Sequence, residues 1–148
     1  MNQELAQCCF DRYSIGIYRY ALSILKRPSL AEDVLQETFL RLLTRPAPGL
    51  TPEKAQAWLY RVARNLCIDI LRRPTEEYTR AVPVSPDEYA YLELISPLSQ
   101  SEREIVTLRI VGNLSHREIA QILHTTPAAA QKRYERAIQK LRETEVSP

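Results

Sequence analysis

Apolar side chains recur at Phe10, Tyr13, Ile17, Tyr20 and Ile24, every three or four positions. That spacing puts them on one face of an α-helix. Gly16 weakens this helix by about 1 kcal/mol relative to alanine. A second periodic run, Leu35, Phe39 and Leu42, follows Pro28 and extends to about Leu43. Ser29, with Glu32 three positions on, predicts a capping box at its start. The stretch RPAPGLTP (45–52) reads as a loop, after which Thr51 caps a third helix with Pro52 in its first turn. Trp58, Leu59, Val62, Ala63, Leu66 and Ile70 form the inner face of that helix, which ends near Arg73 and Pro74. The apolar–polar alternation of a half-buried strand is not evident anywhere. The expected fold class is all-α.

Ten prolines punctuate the chain, and four of them fall in residues 74–97. Tyr89, Tyr91, Leu92 and Leu94 are compatible with a short helix there, but the segment reads as a linker. Two further capping boxes follow, Ser99–Glu102 and Ser115–Glu118. Gly112 and Asn113 end the helix between them, glycine tolerating the left-handed terminal conformation. The expected organisation is a helical domain over 1–73, a linker over 74–97 and a second helical domain over 98–148.

Within the second domain, one helix stops near Leu123 and another starts at Pro127, with His124, Thr125 and Thr126 between. Helices joined so tightly cross steeply and pack through a small apolar patch, the geometry of a helix-turn-helix that offers its second helix to the DNA major groove. Ile119, Ala120 and Leu123 supply the first buried face, and Ala130, Tyr134, Ala137 and Leu141 the second. On the opposite face stand Ala128, Lys132, Glu135 and Gln139, flanked by Gln131 and Arg136. Lysine and arginine pair with guanine or phosphate, glutamine reads adenine, and glutamate accepts from cytosine. The helix start, beside Thr125 and Thr126, offers free N–H groups to a phosphate. A helical hairpin with a merely solvated polar face fits the same spacing.

Charge adds an uneven distribution beneath a net +2. Residues 1–72 hold 10 Lys/Arg against 7 Asp/Glu, residues 73–97 hold 2 against 5, and residues 98–148 hold 8 against 6. Two mildly basic blocks flank an acidic one, which permits nucleic-acid binding without establishing it. The linker is therefore proline-rich and acidic. Three cysteines, two of them adjacent at Cys8 and Cys9, argue against a disulfide framework and for a reducing cytosol. Neither Cys nor His stands at metal-ligand spacing from that pair, so packing is its expected role. The N-terminus lacks the pattern of a secretory signal, and no apolar run approaches the ~20 residues of a membrane span. Gly-rich phosphate loops, nucleophile elbows and metal-spaced clusters are missing from the sequence. The expectation is a cytoplasmic protein with no catalytic residue, metal or cofactor.

LSQSEREIVTLRIVGNLSHREIAQILHTT (98–126) resembles region 4 of bacterial sigma factors, the DNA-reading subunits of RNA polymerase. AEDVLQETFLRLL (31–43) resembles the core-polymerase-binding helix of their region 2, and AWLYRVARNLCIDILRR (57–73) its promoter-melting helix. The order of the motifs and the short length look like the extracytoplasmic-function (ECF) group. The resemblance covers about residues 13–73 and 98–142. It implies a region 2-like helical bundle and a region 4-like helix-turn-helix, acting with core RNA polymerase and promoter DNA. An anti-sigma factor is the usual further partner of this group.

The resemblance also implies site residues. Asp33, Gln36, Glu37 and Phe39 match the family's core-binding positions; the first three lie off the buried stripe, and Phe39 supports them from the core. Arg61, Arg64, Asn65, Asp69, Arg72 and Arg73 lie off the apolar face of the third helix, where the family receives the −10 promoter element. The loop at about 45–54 would shape a pocket for a flipped base, whose extrusion costs a few kcal/mol. The −35 element would meet Thr125, Thr126, Ala128, Gln131, Lys132, Arg133, Glu135 and Arg136, with Arg133 on phosphate. In this family the acidic linker threads the polymerase's RNA channel; its composition equally suits a solvated tether.

The chain departs from the family where Ala128, Ala129 and Ala130 replace Gly-Thr-Val, His124 replaces a turn glycine and Ala55 replaces an aromatic. These bear on promoter sequence more than on role. Two rival readings are a stand-alone helix-turn-helix regulator, which would need a dimerisation surface, and a sigma mimic that binds only proteins.

Overall fold

The computed structural model describes residues 2–73 and 85–146, without the side chains of Asn2, Glu145 and Val146. Every regular element among the described residues is helical: α1 (Asn2–Leu25), α2 (Pro28–Thr44), α3 (Pro52–Leu71), α4 (Pro86–Ile95), α5 (Gln100–Val106), α6 (His116–Leu123) and α7 (Pro127–Val146). A π-wound turn, Thr107–Val111, continues α5. The chain divides into two compact units, Met1–Ala81 and Val82–Pro148.

In the first unit α1, α2 and α3 each pack on the other two. Lys26 ends α1 at φ +60, and its amide still closes the last turn on the Leu22 carbonyl at 2.8 Å. Arg27 is extended (φ −125, ψ 117) because proline disfavours a helical residue before it. Helix α2 therefore starts at Pro28, with Arg27 in the capping position and no side-chain cap. The capping box expected from Ser29 and Glu32 does not form, since proline's fixed φ has already begun the helix one residue earlier. The Thr51 cap of α3 does form, accepting the Lys54 amide at 3.3 Å.

The buried faces keep part of each row that periodicity suggests (Ile17, Tyr20 and Ile24; Phe39 and Leu42; Leu59 and Ala63) and exchange the rest for neighbours. On α1 the core takes Cys9, Ile17, Tyr20 and Ile24, while Phe10 is 45% exposed. On α2 it takes Ala31, Val34, Thr38 and the expected Phe39 and Leu42, and Leu35 is only half-buried. On α3 it takes Ala55, Leu59, Ala63 and Cys67 at i, i+4, i+8 and i+12, while Trp58, Val62, Leu66 and Ile70 flank the contact. Small side chains at the centre let three helix backbones approach; the bulkier ones seal the margins. Each fully buried leucine, such as Leu42 or Leu59, contributes about 1.5–3 kcal/mol of transfer free energy.

In the second unit α5 and α6 both pack on α7. Both expected capping boxes are present, Ser99 with Glu102 and Ser115 with Glu118. The end of α5 differs from the expectation. Gly112 keeps a right-handed conformation (φ −77), and Asn113 takes the left-handed one at φ +55. The π-wound turn explains the shift: the Gly112 amide reaches back five residues to the Thr107 carbonyl at 3.0 Å, so the reversal comes one residue later. On α6 Ile119 and Ala120 are buried as expected, joined by Ile122 rather than Leu123.

Residues 86–95 lie inside the segment assigned to the linker, yet they form α4. Ser85 caps it by accepting the Glu88 amide, and Pro86 occupies the first turn. Its end is anchored by buried Ile95 and Leu98, and Tyr91 hydrogen-bonds Thr107. Four prolines make the segment read as loop; one of them sits where proline starts a helix. Residues 74–84 of the assigned linker lie outside the described residues.

Gly16 is explained by packing. A Cβ there would stand 2.3 Å from Tyr60 Oη, and Tyr60 is buried with its ring edge-on to Tyr20 at 5.4 Å. Gly16→Ala is expected to destabilise the protein by about 1–2 kcal/mol despite alanine's better helix propensity. In a Tyr60→Phe background, which lacks the clashing oxygen, the same change should cost less. Chemical denaturation of the four proteins in this cycle checks the coupling.

Candidate polymerase- and promoter-binding surfaces

On α2, Asp33 and Gln36 are exposed, and half-buried Glu37 pairs with Arg41 at 3.1 Å. Phe39 is buried, its ring edge-on to Phe10 with centroids 5.2 Å apart. Beside this row a groove of 720 Å³ opens between the start of α1 and α2, lined by Gln7, Phe10, Gln36, Phe39, Leu40 and Leu43 among others. Leu40 is 51% exposed and Leu43 37%. Sequence reasoning missed this apolar edge. The signal was the run TFLRLL, which holds more large apolar residues than one helical face can bury.

On α3, Arg61, Asn65, Asp69 and Arg72 recur at i, i+4, i+8 and i+11, all exposed, opposite the Ala55–Cys67 core line. Arg64 is half-buried and engaged within the fold. Arg73 does not join the exposed row. It lines a 220 Å³ groove with Leu66 and Ile70 of its own end of the bundle and Asp33 and Glu37 of α2. One residue expected at the −10 element thus stands beside two expected at the polymerase surface. The loop before α3 is held at its far end by Tyr13, whose hydroxyl donates to the Pro52 carbonyl at 2.9 Å. Gly49 takes φ +74 in this loop, a conformation that favours glycine.

The turn into α7 is built from backbone bonds. His124 ends α6 at φ +56, ψ +49, and the Thr125 amide donates to the Ala120 carbonyl at 2.9 Å. Thr126 Oγ1 accepts the Ala129 amide at 3.1 Å and so caps α7. Its acceptor role is spent on the fold. Ala128, Gln131, Lys132, Glu135 and Arg136 are exposed; Thr125 and Arg133 are half-buried. Gln131 donates to Glu135 at 3.2 Å. Both histidines have structural places: His124 turns the chain, and the His116 ring lies 5.7 Å from that of Tyr134.

One ion pair locks α5 to α7. Glu102, 8% exposed, accepts the Ser99 amide at 2.9 Å and the Lys140 ammonium at 2.8 Å. Burial pushes its carboxyl up, but the bonds from Lys140 and Ser99 outweigh burial and hold it below the ordinary value of 4.5. The three thiols are free, and burial pushes that of Cys9 up, in keeping with packing. Among the described residues, no group of three or more His, Cys, Asp or Glu is placed to hold a metal, and no helix is long and apolar enough to cross a membrane.

Two family models match, in order. Residues 9–76 match Sigma-70 region 2, and residues 89–141 match Sigma-70, region 4. The ECF RNA polymerase sigma factor SigM of Bacillus subtilis is 30% identical over 148 residues, covering 90% of each chain. The chain belongs to the sigma-70 family, in its ECF group. As a sigma factor it is a promoter-recognition subunit of RNA polymerase and acts in transcription initiation. Its fold agrees with two solved structures. The sigma factor RpoE in complex with the anti-sigma factor NepR, from Bartonella quintana, aligns with a TM-score of 0.74 and 22% identity, covering 99% of this chain and 97% of that one. CnrH in complex with the cytosolic domain of CnrY aligns at 0.69 and 21%, covering 97% and 96%. The region 4 match begins at residue 89, inside α4.

The Glu102 clasp makes the sigma factor's second unit acid-sensitive. A carboxyl depressed in the folded state stabilises above its ordinary 4.5, and that stabilisation is lost as pH falls through the lowered value. Thermal unfolding across this range should show the loss in the wild type, and Glu102→Gln should remove that component of the pH dependence.

Proposed function

We propose that this sigma factor grips core RNA polymerase through α2, opens and reads the −10 element with α3, and docks on the −35 element with α7. The observation that carries this reading is that Asp33 and Gln36 on α2, Arg61, Asn65 and Asp69 on α3, and Gln131, Lys132, Glu135 and Arg136 on α7 are exposed on helices whose opposite sides are buried. Asp33, Gln36 and Glu37 form the polar polymerase contact, with Phe39 holding their helix against α1. Arg61, Arg72 and half-buried Arg64 hold phosphates, Asn65 and the loop before α3 read bases, and Asp69 completes the exposed row. Arg73, beside Asp33 and Glu37, joins the two tasks. On the second unit Thr125 and Thr126 lie at the start of α7, and Ala128, Gln131, Lys132, Arg133, Glu135 and Arg136 follow along it.

An anti-sigma factor is a further partner by analogy with RpoE and CnrH, whose structures were solved with NepR and CnrY. The protein works in the cytoplasm beside the chromosome, and contributes recognition rather than catalysis. A stand-alone regulator would not need the α2 surface, and the two matched regions in one chain favour the full sigma role.

In a purified run-off assay, core enzyme plus this protein is expected to yield specific transcripts from a promoter library. Core alone should not. Specific transcripts missing from every promoter would contradict the reading. Asp33→Ala combined with Gln36→Ala should lower core affinity about tenfold, or about 1.4 kcal/mol, with unchanged melting temperature. Undiminished co-purification with core would remove the α2 assignment.

A further inference from the structure

Tyr13 of α1 is half-buried, and its hydroxyl donates to the Pro52 carbonyl at 2.9 Å across 39 positions of sequence. Pro52 is the first residue of α3. Beside this bond Arg12 Nη1 stands 3.7 Å from Glu53 Oε1, but both side chains are largely exposed, so that pair adds little. Further along α1, the Tyr60 hydroxyl fills the space that Gly16 leaves, and the Tyr60 ring meets Tyr20 edge-on. Tyr13, Gly16 and Tyr20 lie at i, i+3 and i+7, one row of the helix that fixes how α3 lies against it. Gly16 and Tyr20 serve the body of the bundle. Tyr13 reaches the junction of helix and loop.

The loop itself is stiff. In RPAPGLTP (45–52) every residue except Gly49 and Leu50 is a proline or precedes one. Proline fixes its own φ, and the residue before it is pushed to an extended conformation. Thr51 shows this at φ −108, ψ 165. Gly49 takes φ +74 where an added Cβ would meet open space, so glycine is needed there for its backbone and not for room. The bend at Gly49 and Leu50 therefore stands between two stiff arms. One arm leaves α2 at Arg45, whose amide closes on the Arg41 carbonyl at 2.7 Å. The other arm, Thr51–Pro52, is the one that Tyr13 grips. A shift at Pro52 is carried to the bend instead of being absorbed on the way.

Building on the reading that this loop contacts −10 bases, we propose that Tyr13 is a positioning residue for −10 recognition. Its hydroxyl sets where the Gly49–Leu50 bend stands relative to α3, and so which base the loop accepts. Tyr13 acts through Pro52 and Thr51 and needs no contact with DNA.

The test uses reconstituted holoenzyme and single-stranded non-template −10 fragments, with every base tried at each position in turn. Tyr13→Phe removes the bond and keeps the ring. The tether predicts that the spread between best and worst base narrows about fivefold at one −10 position, the weight of one hydrogen bond. Core affinity and −35 preference should stay as in the wild type. Ile24→Val, which trims a buried side chain of the same helix, is the stability control: it should lower the melting temperature and leave the spread intact. A Tyr13→Phe protein that behaved like this control, less stable but with wild-type base preferences, would overturn the proposal. Gly49→Ala, strained at positive φ, probes the loop directly. If it alters −10 preference while Tyr13→Phe does not, the loop reading stands and the tether falls. If neither variant alters any preference, the loop reading fails and takes the tether with it.

Discussion

Lys26, Asn113 and His124 hold left-handed backbone conformations although each carries a side chain, and each ends a helix. Such a residue costs about 1–2 kcal/mol of local strain. The strain is offset by the amides it redirects: Lys26 onto Leu22, Leu114 onto Leu108, Thr125 onto Ala120. After each reversal the next helix restarts within three residues, at Pro28, His116 and Pro127. Within each unit these abrupt turns bring successive helices into contact before a long loop could dilute them. At His124 the effect is most direct. The turn sets α7 against α6 on one side and leaves its cationic flank toward α5 on the other.

Six of the seven described helices and the helix-turn-helix were legible because their signals are local, whereas α4 was read as linker. Thr51–Pro52, Ser99–Glu102, Ser115–Glu118 and Thr126–Pro127 each satisfy or remove backbone donors at a helix start, and all four act there. His124 was legible as a turn because imidazole tolerates positive φ. What was not legible depends on neighbours. Periodicity shows that a helix has an apolar side, but not which part of that side meets the closest partner. Hence Leu59 and Ala63 fill the three-helix contact as expected, but beside them stand Ala55 and Cys67 rather than Trp58, Leu66 and Ile70, and on α1 Cys9 rather than Phe10. Gly16 looked like a weakness in α1, whereas it is the space Tyr60 occupies. The π-wound turn, which moves the reversal from Gly112 to Asn113, leaves no local mark.

The candidate rows were legible as exposed positions and less so in company. Spacing places Arg61, Asn65, Asp69 and Arg72 together, but only the fold brings Arg73 beside Asp33 and Glu37, or Lys140 onto Glu102. Residues proposed to face the polymerase and one proposed to face the promoter thus adjoin at one groove of the first unit. In the second unit, the carboxylate that starts α5 also fixes one flank of α7. Family membership supplies the task; these contacts hold the residues proposed for it in place.

The most direct test of the account is a footprint of the holoenzyme on genomic DNA. Protection centred on both −35 and −10 of the same promoters, with the −10 protection accompanied by strand opening, is the predicted result. Protection at upstream sites alone, independent of core polymerase, would contradict it and mark the protein as a stand-alone DNA binder.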